Sequence, residues 1–198
     1  MESSSSPTRP ERKASVFVRL TNKDDKTQIE QIHSVVNKAY RSVSDERIKV
    51  EELAEIMEDT KNPLFIAFDS ENGQPLGTLQ LEPAEYYLDH GEYKKEGYSP
   101  TYIESLPKDQ QVFLGLFSVD PSQQSRGIGR KLVEAALKHA REDMKRTQCV
   151  VNVLYMRDEL INWYKKLGFV DHGEKVPFLE ESRILQEDTH FSVLRLTL

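Results

Sequence analysis

Between an apolar segment and an amphipathic one, the chain reads Gln124-Ser125-Arg126-Gly127-Ile128-Gly129. The segment before it, Phe113 to Val119, is apolar enough for a buried strand, and Asp120-Pro121 ends that strand because proline cannot continue a hydrogen-bond ladder. The segment after it predicts a helix from about Gly127 to Met144. Apolar residues share one face of that helix at helical spacing, namely Ile128, Leu132, Val133, Ala136, Leu137 and Ala140. The residues therefore predict a strand, a short turn with two glycines, and a helix.

This turn has the features of an anion-binding site. The first backbone N–H groups of a helix have no partner within the helix and carry a partial positive charge, so an anion placed there completes their hydrogen bonds. Gly127 and Gly129 have no side chains, which lets a ligand approach those amides closely. Arg126, Arg130 and Lys131 add positive charge nearby. Because charge-assisted hydrogen bonds contribute about 1.5–3 kcal/mol each, a few amides and one arginine suffice to hold a pyrophosphate.

The residues around the glycines narrow the choice of phosphate ligand. A P-loop closes with Gly-Lys followed by Ser or Thr, whereas this turn closes with Gly129-Arg130-Lys131. A dinucleotide-binding turn has a third glycine where this chain has Leu132, and an acid near the end of the next strand, which Cys149 to Tyr155 lacks. Taken alone, the two glycines favour a helix start without a ligand, because such short motifs often occur by chance.

A second motif, downstream, changes this interpretation. The run from Phe117 to Pro121 followed by Gln124 to Gly129 closely resembles motif A of the GNAT acetyltransferase superfamily, which reads Gln or Arg, two residues, Gly, one residue, then Gly or Ala. The stretch Trp163 to Phe169 is similar to the second signature of that family, in which three residues separate a tyrosine, here Tyr164, from Gly-Phe. The order and spacing of the two signatures also match, and the resemblance covers roughly residues 64–198.

The resemblance implies a fold and a cosubstrate. The expected fold class is α+β, a three-layer α/β/α GNAT fold with a mixed central sheet of about six to seven strands and a splay between the motif-A strand and the next one. The expected cosubstrate is acetyl-CoA, with its pantetheine arm paired to the backbone of the motif-A strand and its pyrophosphate on the turn amides. The residues in those positions are Phe117, Ser118, Val119, Gln124, Ser125, Arg126, Gly127, Ile128, Gly129 and Arg130.

Patterns elsewhere in the chain predict the other elements. We interpret residues 1–14 as a disordered tail and residues 15–198 as a single domain with an insertion at about 83–111. An Asn72-Gly73 turn joins two of the strands, and Asp24 or Asp25 caps the first helix. The further strands predicted are Val16–Leu20, Leu64–Phe68, Leu76–Leu81, Cys149–Leu154, Phe169–Val170 and Phe191–Leu198, and the further helices are Ile29–Tyr40, Val50–Met57 and Asp158–Leu167.

Two residues are the candidates for proton transfer. The resemblance implies that Tyr164 protonates the departing CoA thiolate, although an aromatic residue at helical spacing also suits core packing. Glu82 ends the strand before the insertion and is the candidate base that takes a proton from the amine, in competition with Asp89, His90 and Glu104. Many family members have Asn seven residues before the tyrosine, where this chain has Arg157, so a role for that Asn does not carry over.

The acidic, tyrosine-rich insertion bears on the acceptor. Acids beside the acceptor site attract cationic amines, and aromatic rings bind ammonium groups through cation–π contacts. We therefore expect transfer of an acetyl group to a primary amine by direct attack on the thioester, with a small cationic acceptor. The alternatives are a protein lysine or N-terminal acetyltransferase, or a CoA-binding regulatory module without catalysis. The insertion acids that carry this expectation are Glu82, Glu85, Asp89, Glu92, Glu96 and Glu104.

Composition limits which partners and cellular locations we expect for this chain. A net charge of -6 argues against nucleic acid as a partner. The absence of an apolar run near 18 residues, or of a secretory signal within Met1 to Arg12, favours a cytoplasmic location, with a nuclear one as the second option. The single Cys149 lies in an apolar run and is expected to pack in the core. We expect no metal, no membrane partner, and a monomer or homodimer.

Overall fold

The computed structural model describes residues 15–41, 46–85, 107–177 and 189–198. Seven strands in these ranges form one sheet in the order β1-β2-β3-β4-β5-β7-β6. Every neighbouring pair is antiparallel except β4 and β5, which are parallel. The bounds are β1 Val16–Leu20, β2 Leu64–Asp69, β3 Pro75–Pro83, β4 Gln111–Val119, β5 Gln148–Leu154, β6 Val170–Pro177 and β7 His190–Thr197.

Helices cover both faces of the sheet. Within the described ranges the α-helices are α1 Ile29–Tyr40, α2 Val50–Glu58, α3 Ile128–Glu142 and α4 Asp158–Lys166. The strand β2 shows how the layers are divided: Ile66 packs in a cluster with residues of α1 and α2, whereas Ala67 packs in the cluster that holds α3 and α4. Successive strand residues point to opposite faces, so β2 is buried on both. The predicted three-layer α/β/α arrangement is confirmed.

The predicted strands and helices agree with the structure to within a few residues, except at one strand and one helix start. The strand predicted at Phe169–Val170 runs from Val170 to Pro177. The 3₁₀ turn Lys23–Gln28 precedes α1, and its N-cap is Asn22, not Asp24 or Asp25. The Asn22 side chain accepts a hydrogen bond from the Asp24 amide, and Asp25 accepts one from the Asn22 amide. Asp25 is instead buried against Arg19, with two N–O distances of 2.7 Å. An ion pair with β1, the strand just before this turn, therefore decides the position of this acid, and a helix-capping pattern does not report such a pair.

Two predicted regions lie wholly or mostly outside the described residues. The predicted tail, 1–14, is one of them. Of the predicted insertion at 83–111, the structure describes only its two ends, where Pro83 closes β3 and Gln111 opens β4. Asp89, His90 and Glu104 fall in the part that is not described. The structure therefore bears on Glu82 among the four candidate bases and not on the other three.

Candidate active site

The parallel strands β4 and β5 separate along their length. They are paired only from Gln111 to Phe113 on β4 and from Gln148 to Val150 on β5, although both strands continue. A cavity of about 850 Å³ opens where the pairing stops. Its walls include residues 114–119 and 151–154, the turn after β4, and α4. The predicted splay between the motif-A strand and the next strand is therefore confirmed, and it gives the cavity its shape.

The turn after β4 forms one end of this cavity. Asp120 fixes the start of the turn, because its carboxylate accepts hydrogen bonds from the amide and hydroxyl of Ser122 at 2.9 and 2.6 Å. Gly127 then precedes α3 in the left-handed conformation, with φ of 77°. The Lys131 amide bonds to the Gly127 carbonyl at 3.1 Å and closes the first helical turn. The amides of residues 128–130 therefore precede the helical ladder and have no carbonyl partner within it.

The two glycines leave room at the turn in different ways. A Cβ at Gly127 would meet no atom of the described chain within 4 Å, so the space above its amide is open. A Cβ at Gly129 would lie 3.0 Å from Cζ of Phe117 and 3.6 Å from Cζ2 of Trp163. Any side chain at 129 would press on the aromatic wall of the cavity. The turn therefore fits a phosphate group as the sequence predicts, with bare amides facing an open space.

The three cations predicted around the turn do not all face the cavity. Arg130 lines it and also pairs with Glu134 at 2.8 Å. The Arg126 guanidinium contacts Gln123 and lies 3.8 Å from Asp69, and Arg126 is not among the lining residues. The Lys131 ammonium donates to the Val16 carbonyl at 2.7 Å. Arg126 can therefore serve the predicted site through its backbone amide, and of these three cations the one that lines the cavity is Arg130.

All the other predicted CoA-contacting residues line the cavity. They are Phe117, Ser118 and Val119 on β4, and Gln124, Ser125, Gly127, Ile128 and Gly129 on the turn. The sequence was enough to group these residues, because the strand, the turn and the helix start follow one another directly in the chain.

A bulge in β4 was not predicted. Thr78 pairs with Ser118 and Gln80 pairs with Gly115, so β4 carries one more residue than β3 over this interval. Leu116 takes up the irregularity with φ of 41°, and its carbonyl accepts a hydrogen bond from the Thr78 hydroxyl at 2.8 Å. Bulges bend a strand and redirect its side chains. The alternation of apolar residues in β4 gives no signal for it, because residues on both faces of this strand are buried.

Glu82 lies where the sequence analysis expected a base. It is on β3 opposite Phe113, and it lines the cavity. Its carboxyl group covers Gly115 so closely that a Cβ there would be 2.9 Å from Cδ of Glu82. Burial raises the pKa of Glu82 to about 7, while the positive charge of Arg47 acts in the opposite direction. A carboxyl group with a pKa near neutrality can take up and release a proton at physiological pH.

Tyr164 is a core residue that also borders the cavity. It is 1% exposed and packs against Phe169 and Trp163, with ring centroids 5.2 and 4.9 Å away. It also lines the cavity. Burial, together with the nearby Tyr40 and Cys149, raises the pKa of Tyr164 well above 10. The hydroxyl is therefore protonated at neutral pH, and burial disfavours a thiolate in the same cavity for the same reason.

Tyr40 and Arg47 are site residues that the sequence analysis missed. Tyr40 was interpreted only as part of the apolar stripe of α1, yet it lines the cavity. Burial raises the pKa of Tyr40, while hydrogen bonds from Arg47 and from the Phe117 amide lower it in part. The Arg47 guanidinium carbon lies 5.4 Å from the centre of the Tyr40 ring. No local motif marks either residue, because tertiary packing decides their positions: α1 packs against β3 and β4, and its last residue, Tyr40, then borders the cavity.

One cavity residue stands where this chain departs from the family pattern. Arg157, at the position where many family members have Asn, lines the cavity and donates a hydrogen bond to Glu159 at 2.8 Å. Asn152 on β5 also lines the cavity.

Cys149 is fully buried in the core, as predicted, and burial raises the pKa of its thiol. A thiol in this state is a packing residue, since the reactive form is the thiolate.

Within the described ranges, no group of three or more His, Cys, Asp or Glu side chains is arranged to hold a metal ion. None of the helices within those ranges has the length and apolar character needed to cross a membrane.

Comparison with known proteins gives similarities in sequence and in fold. The spermine/spermidine N(1)-acetyltransferase of Bacillus subtilis is 30% identical over 78 residues, which make up 39% of this chain and 51% of that protein. The chain therefore spans about half the length of the curated relatives it matches.

Solved structures share the fold at lower identity. The Salmonella typhimurium protein yncA, whose structure contains its cofactor acetyl-CoA, is 17% identical with a TM-score of 0.65, covering 93% of this chain and 94% of that one. A GCN5-related N-acetyltransferase from Kribbella flavida is 17% identical with a TM-score of 0.63, covering 92% and 98%. The spermidine/spermine N-acetyltransferase SpeG from Vibrio cholerae is 17% identical with a TM-score of 0.58, covering 92% of each chain.

The family comparison covers most of the site. The model of the acetyltransferase (GNAT) family matches residues 29–169. That span includes both strands that separate, the glycine turn, Glu82 and Tyr164. The chain belongs to the acetyltransferase (GNAT) family.

Proposed function

We propose that this chain is an acetyl-CoA-dependent N-acetyltransferase that transfers an acetyl group to a primary amine. One observation carries the proposal: the separation of β4 from β5 opens a single cavity with an anion-binding turn at one end and both candidate proton-transfer residues, Glu82 and Tyr164, on its walls. A ligand that joins a pyrophosphate to a reactive thioester through a long arm matches that arrangement. Acetyl-CoA is such a ligand, and it supplies the activated acetyl group.

Binding is assigned to backbone groups and one cation. The amides of residues 124–130 and the Arg130 guanidinium hold the pyrophosphate, with each charge-assisted hydrogen bond contributing about 1.5–3 kcal/mol. The exposed backbone of residues 117–119, beyond the point where β4 leaves β5, pairs with the pantetheine arm. The aromatic wall formed by Phe117 and Trp163, whose ring centroids are 5.7 Å apart, excludes water from the arm.

Proton transfer is assigned to two residues, Glu82 and Tyr164. An alkylammonium has a pKa of about 10.4 and cannot attack a thioester until it loses a proton. Glu82 accepts that proton, either directly or through a water molecule. Tyr164, protonated at neutral pH, donates to the sulfur of the leaving thiolate. The Tyr40 hydroxyl accepts a hydrogen bond from the Phe117 amide, which leaves its own O–H free to stabilise charge on the acyl oxygen.

For the acceptor we propose a small cationic amine. The Bacillus and Vibrio relatives are acetyltransferases of spermine and spermidine by name, which supports this class. An acetyltransferase of protein lysines or N-termini is the alternative within the same chemistry. A CoA-binding regulatory module is the alternative without chemistry, and the raised pKa of Glu82 in the cavity favours catalysis over it.

The test measures thiol release from acetyl-CoA in the presence of a panel of amines. We expect release that depends on both acetyl-CoA and a primary amine, with cationic small amines as the better acceptors. Faster transfer to peptides than to any small amine would support the protein-acetylating alternative. Binding of CoA without turnover of any amine or peptide would leave the regulatory alternative and refute the enzyme.

A further inference from the structure

A second pocket adjoins the Glu82 end of the main cavity. It has a volume of about 460 Å³, and we call it the acidic pocket. Glu82, Arg47 and Leu116 line both the acidic pocket and the main cavity, so these three residues form the boundary between them. The acidic pocket therefore begins at the carboxyl group to which we assign removal of a proton from the acceptor.

The walls of the acidic pocket carry excess negative charge. Glu52 and Glu55 stand three residues apart on α2, a spacing that places them on the same face of a helix, and Asp59 follows at the end of that helix. With Glu82, four carboxylates face one guanidinium, that of Arg47. Within the described residues neither Glu52 nor Glu55 forms an ion pair. This pocket therefore attracts cations.

Asn62 supplies an independent sign of a ligand. It lines the acidic pocket and is 1% exposed, yet its side-chain oxygen has no hydrogen-bond partner among the described residues. The amide nitrogen donates to Asp59 at 2.6 Å, which fixes the orientation of the group because a rotated amide would set oxygen against carboxylate. A buried acceptor without a donor destabilises the folded protein, because it has lost its hydrogen bonds to water. A ligand that donates N–H groups would satisfy it.

The chemistry of the walls distinguishes between kinds of cation. Carboxylates and an amide oxygen would also suit a divalent metal ion, but the described acids do not converge closely enough to hold one. Ile48, Ile56 and Leu116 add apolar surface to the same pocket. Dispersed carboxylates beside apolar surface fit an ammonium group carried on a methylene chain, because the chain packs on the apolar side chains while the ammonium donates to oxygen atoms.

We infer that the acidic pocket binds the second ammonium group of an alkyl diamine or polyamine whose first amine is placed at Glu82. This inference rests on the proposed function, since it makes the acidic pocket the distal part of the acceptor site. The acceptor then spans the boundary between the two pockets. Its near amine loses a proton to Glu82, and its distal ammonium remains charged among Glu52, Glu55 and the Asn62 oxygen.

The test compares two ligands that differ in one ammonium group, pentane-1,5-diamine and pentylamine. Their affinities are measured by calorimetry with coenzyme A present, so that no acetyl group is available. We expect the wild-type protein to bind the diamine at least tenfold more tightly than the monoamine. In the double variant Glu52→Gln/Glu55→Gln, the affinity for the diamine should fall about tenfold, toward that of the monoamine.

A matched control distinguishes the effect of losing charge inside the acidic pocket from the effect of losing charge anywhere on α2. Glu51 is on the same helix and carries the same charge, but it does not line the acidic pocket. The variant Glu51→Gln should therefore keep the wild-type preference for the diamine. Asn62→Leu removes the unpartnered oxygen at similar volume and should also reduce the preference.

The results keep this inference distinct from the proposed function. Equal affinities for the two amines, or a preference that survives in the double variant, would overturn the inference even if the protein acetylates amines. A preference for the diamine that the double variant loses would support the acidic pocket as a diamine site. If the acetyl-CoA form then failed to acetylate that bound diamine, the proposed enzyme would fail while the binding site would stand.

Discussion

The pKa of Glu82 makes acetyl transfer depend on pH in a way that one substitution should remove. Glu82 is partly buried beside the main cavity, and the desolvation of its carboxyl group raises its pKa to about 7. If its carboxylate takes the proton from the amine, only the ionised form is active. We expect the rate to rise with pH through about 7 in the wild-type protein, and Glu82→Gln to lose this inflection.

The size of the effect follows from the ionised fraction. A group with a pKa of about 7 is roughly one-tenth ionised at pH 6 and nine-tenths ionised at pH 8, so its contribution to the rate rises about tenfold between these values. The acceptor amine also titrates, but its pKa is about 10.4, so its contribution keeps rising well beyond pH 8. The ratio of wild-type to Glu82→Gln turnover should therefore level off above pH 8, at about a hundredfold or more.

The same pKa has a consequence for stability with a definite sign. The folded state holds the Glu82 proton more tightly than the unfolded chain, whose Glu pKa is 4.5. The stabilisation is complete below that value and is lost as pH rises through about 7. The loss amounts to at most about 3 kcal/mol. Glu82→Gln avoids it, so in urea unfolding this variant should gain stability relative to wild type between pH 5 and pH 8.

Moving the Glu82 carboxylate without removing it provides a control. Gly115→Ala places a methyl group where the Glu82 carboxyl lies, and the flexible end of the side chain must move aside. We expect reduced turnover with the unfolding midpoint little changed. The reasoning is refuted if turnover of Glu82→Gln shows the wild-type pH profile, because the inflection would then belong to another group.

The remaining predictions concern Tyr164 and the buried ion pair. Tyr164→Phe should lower kcat about tenfold or more, because the sulfur loses its proton donor. The affinity for acetyl-CoA, measured by calorimetry, should stay within about twofold of wild type. If stopped-flow measurement of thiol release gives the wild-type kcat, Tyr164 has no part in the mechanism. Burial disfavours the ionised form of Asp25, but hydrogen bonds from Arg19 and the Asn22 amide outweigh burial and lower its pKa. Asp25→Asn should therefore reduce the free energy of unfolding by about 1–3 kcal/mol at pH 7. The difference should shrink as pH falls from about 4 through the lowered pKa of Asp25, because the wild-type carboxylate takes up a proton over that range. A difference that stayed constant with pH would show that the ion pair is not its source.

Local patterns predicted most of the fold because its strands and helices are locally consistent. The apolar run of β4, the Asn72-Gly73 turn and the helical stripe of α3 each carry their signal within a few residues. The turn at residues 124–129 was predictable for the same reason, since its glycines, its strand and its helix are adjacent in the chain.

Features that depend on distant contacts were not predictable. The bulge at Leu116 arises from the pairing of β3 with β4, and neither strand records it alone. The position of Arg47 beside Tyr40 and Glu82 requires α1, α2 and the sheet to pack together. Arg126 was expected to add charge at the turn, but Asp69, on a different strand, holds its guanidinium. In each case the sequence gives the residue type and tertiary packing decides which groups it meets.

Calorimetric titration with acetyl-CoA measures whether the bare amides at the turn before α3 hold its pyrophosphate. Gly127→Glu introduces bulk and negative charge there, whereas Gly173→Glu imposes the same backbone strain elsewhere, since both glycines have φ of 77° and a Cβ at either would meet no described atom within 4 Å. We predict that Gly127→Glu loses at least a hundredfold in affinity and that Gly173→Glu binds as the wild type does. Wild-type affinity in a folded Gly127→Glu variant would contradict the account.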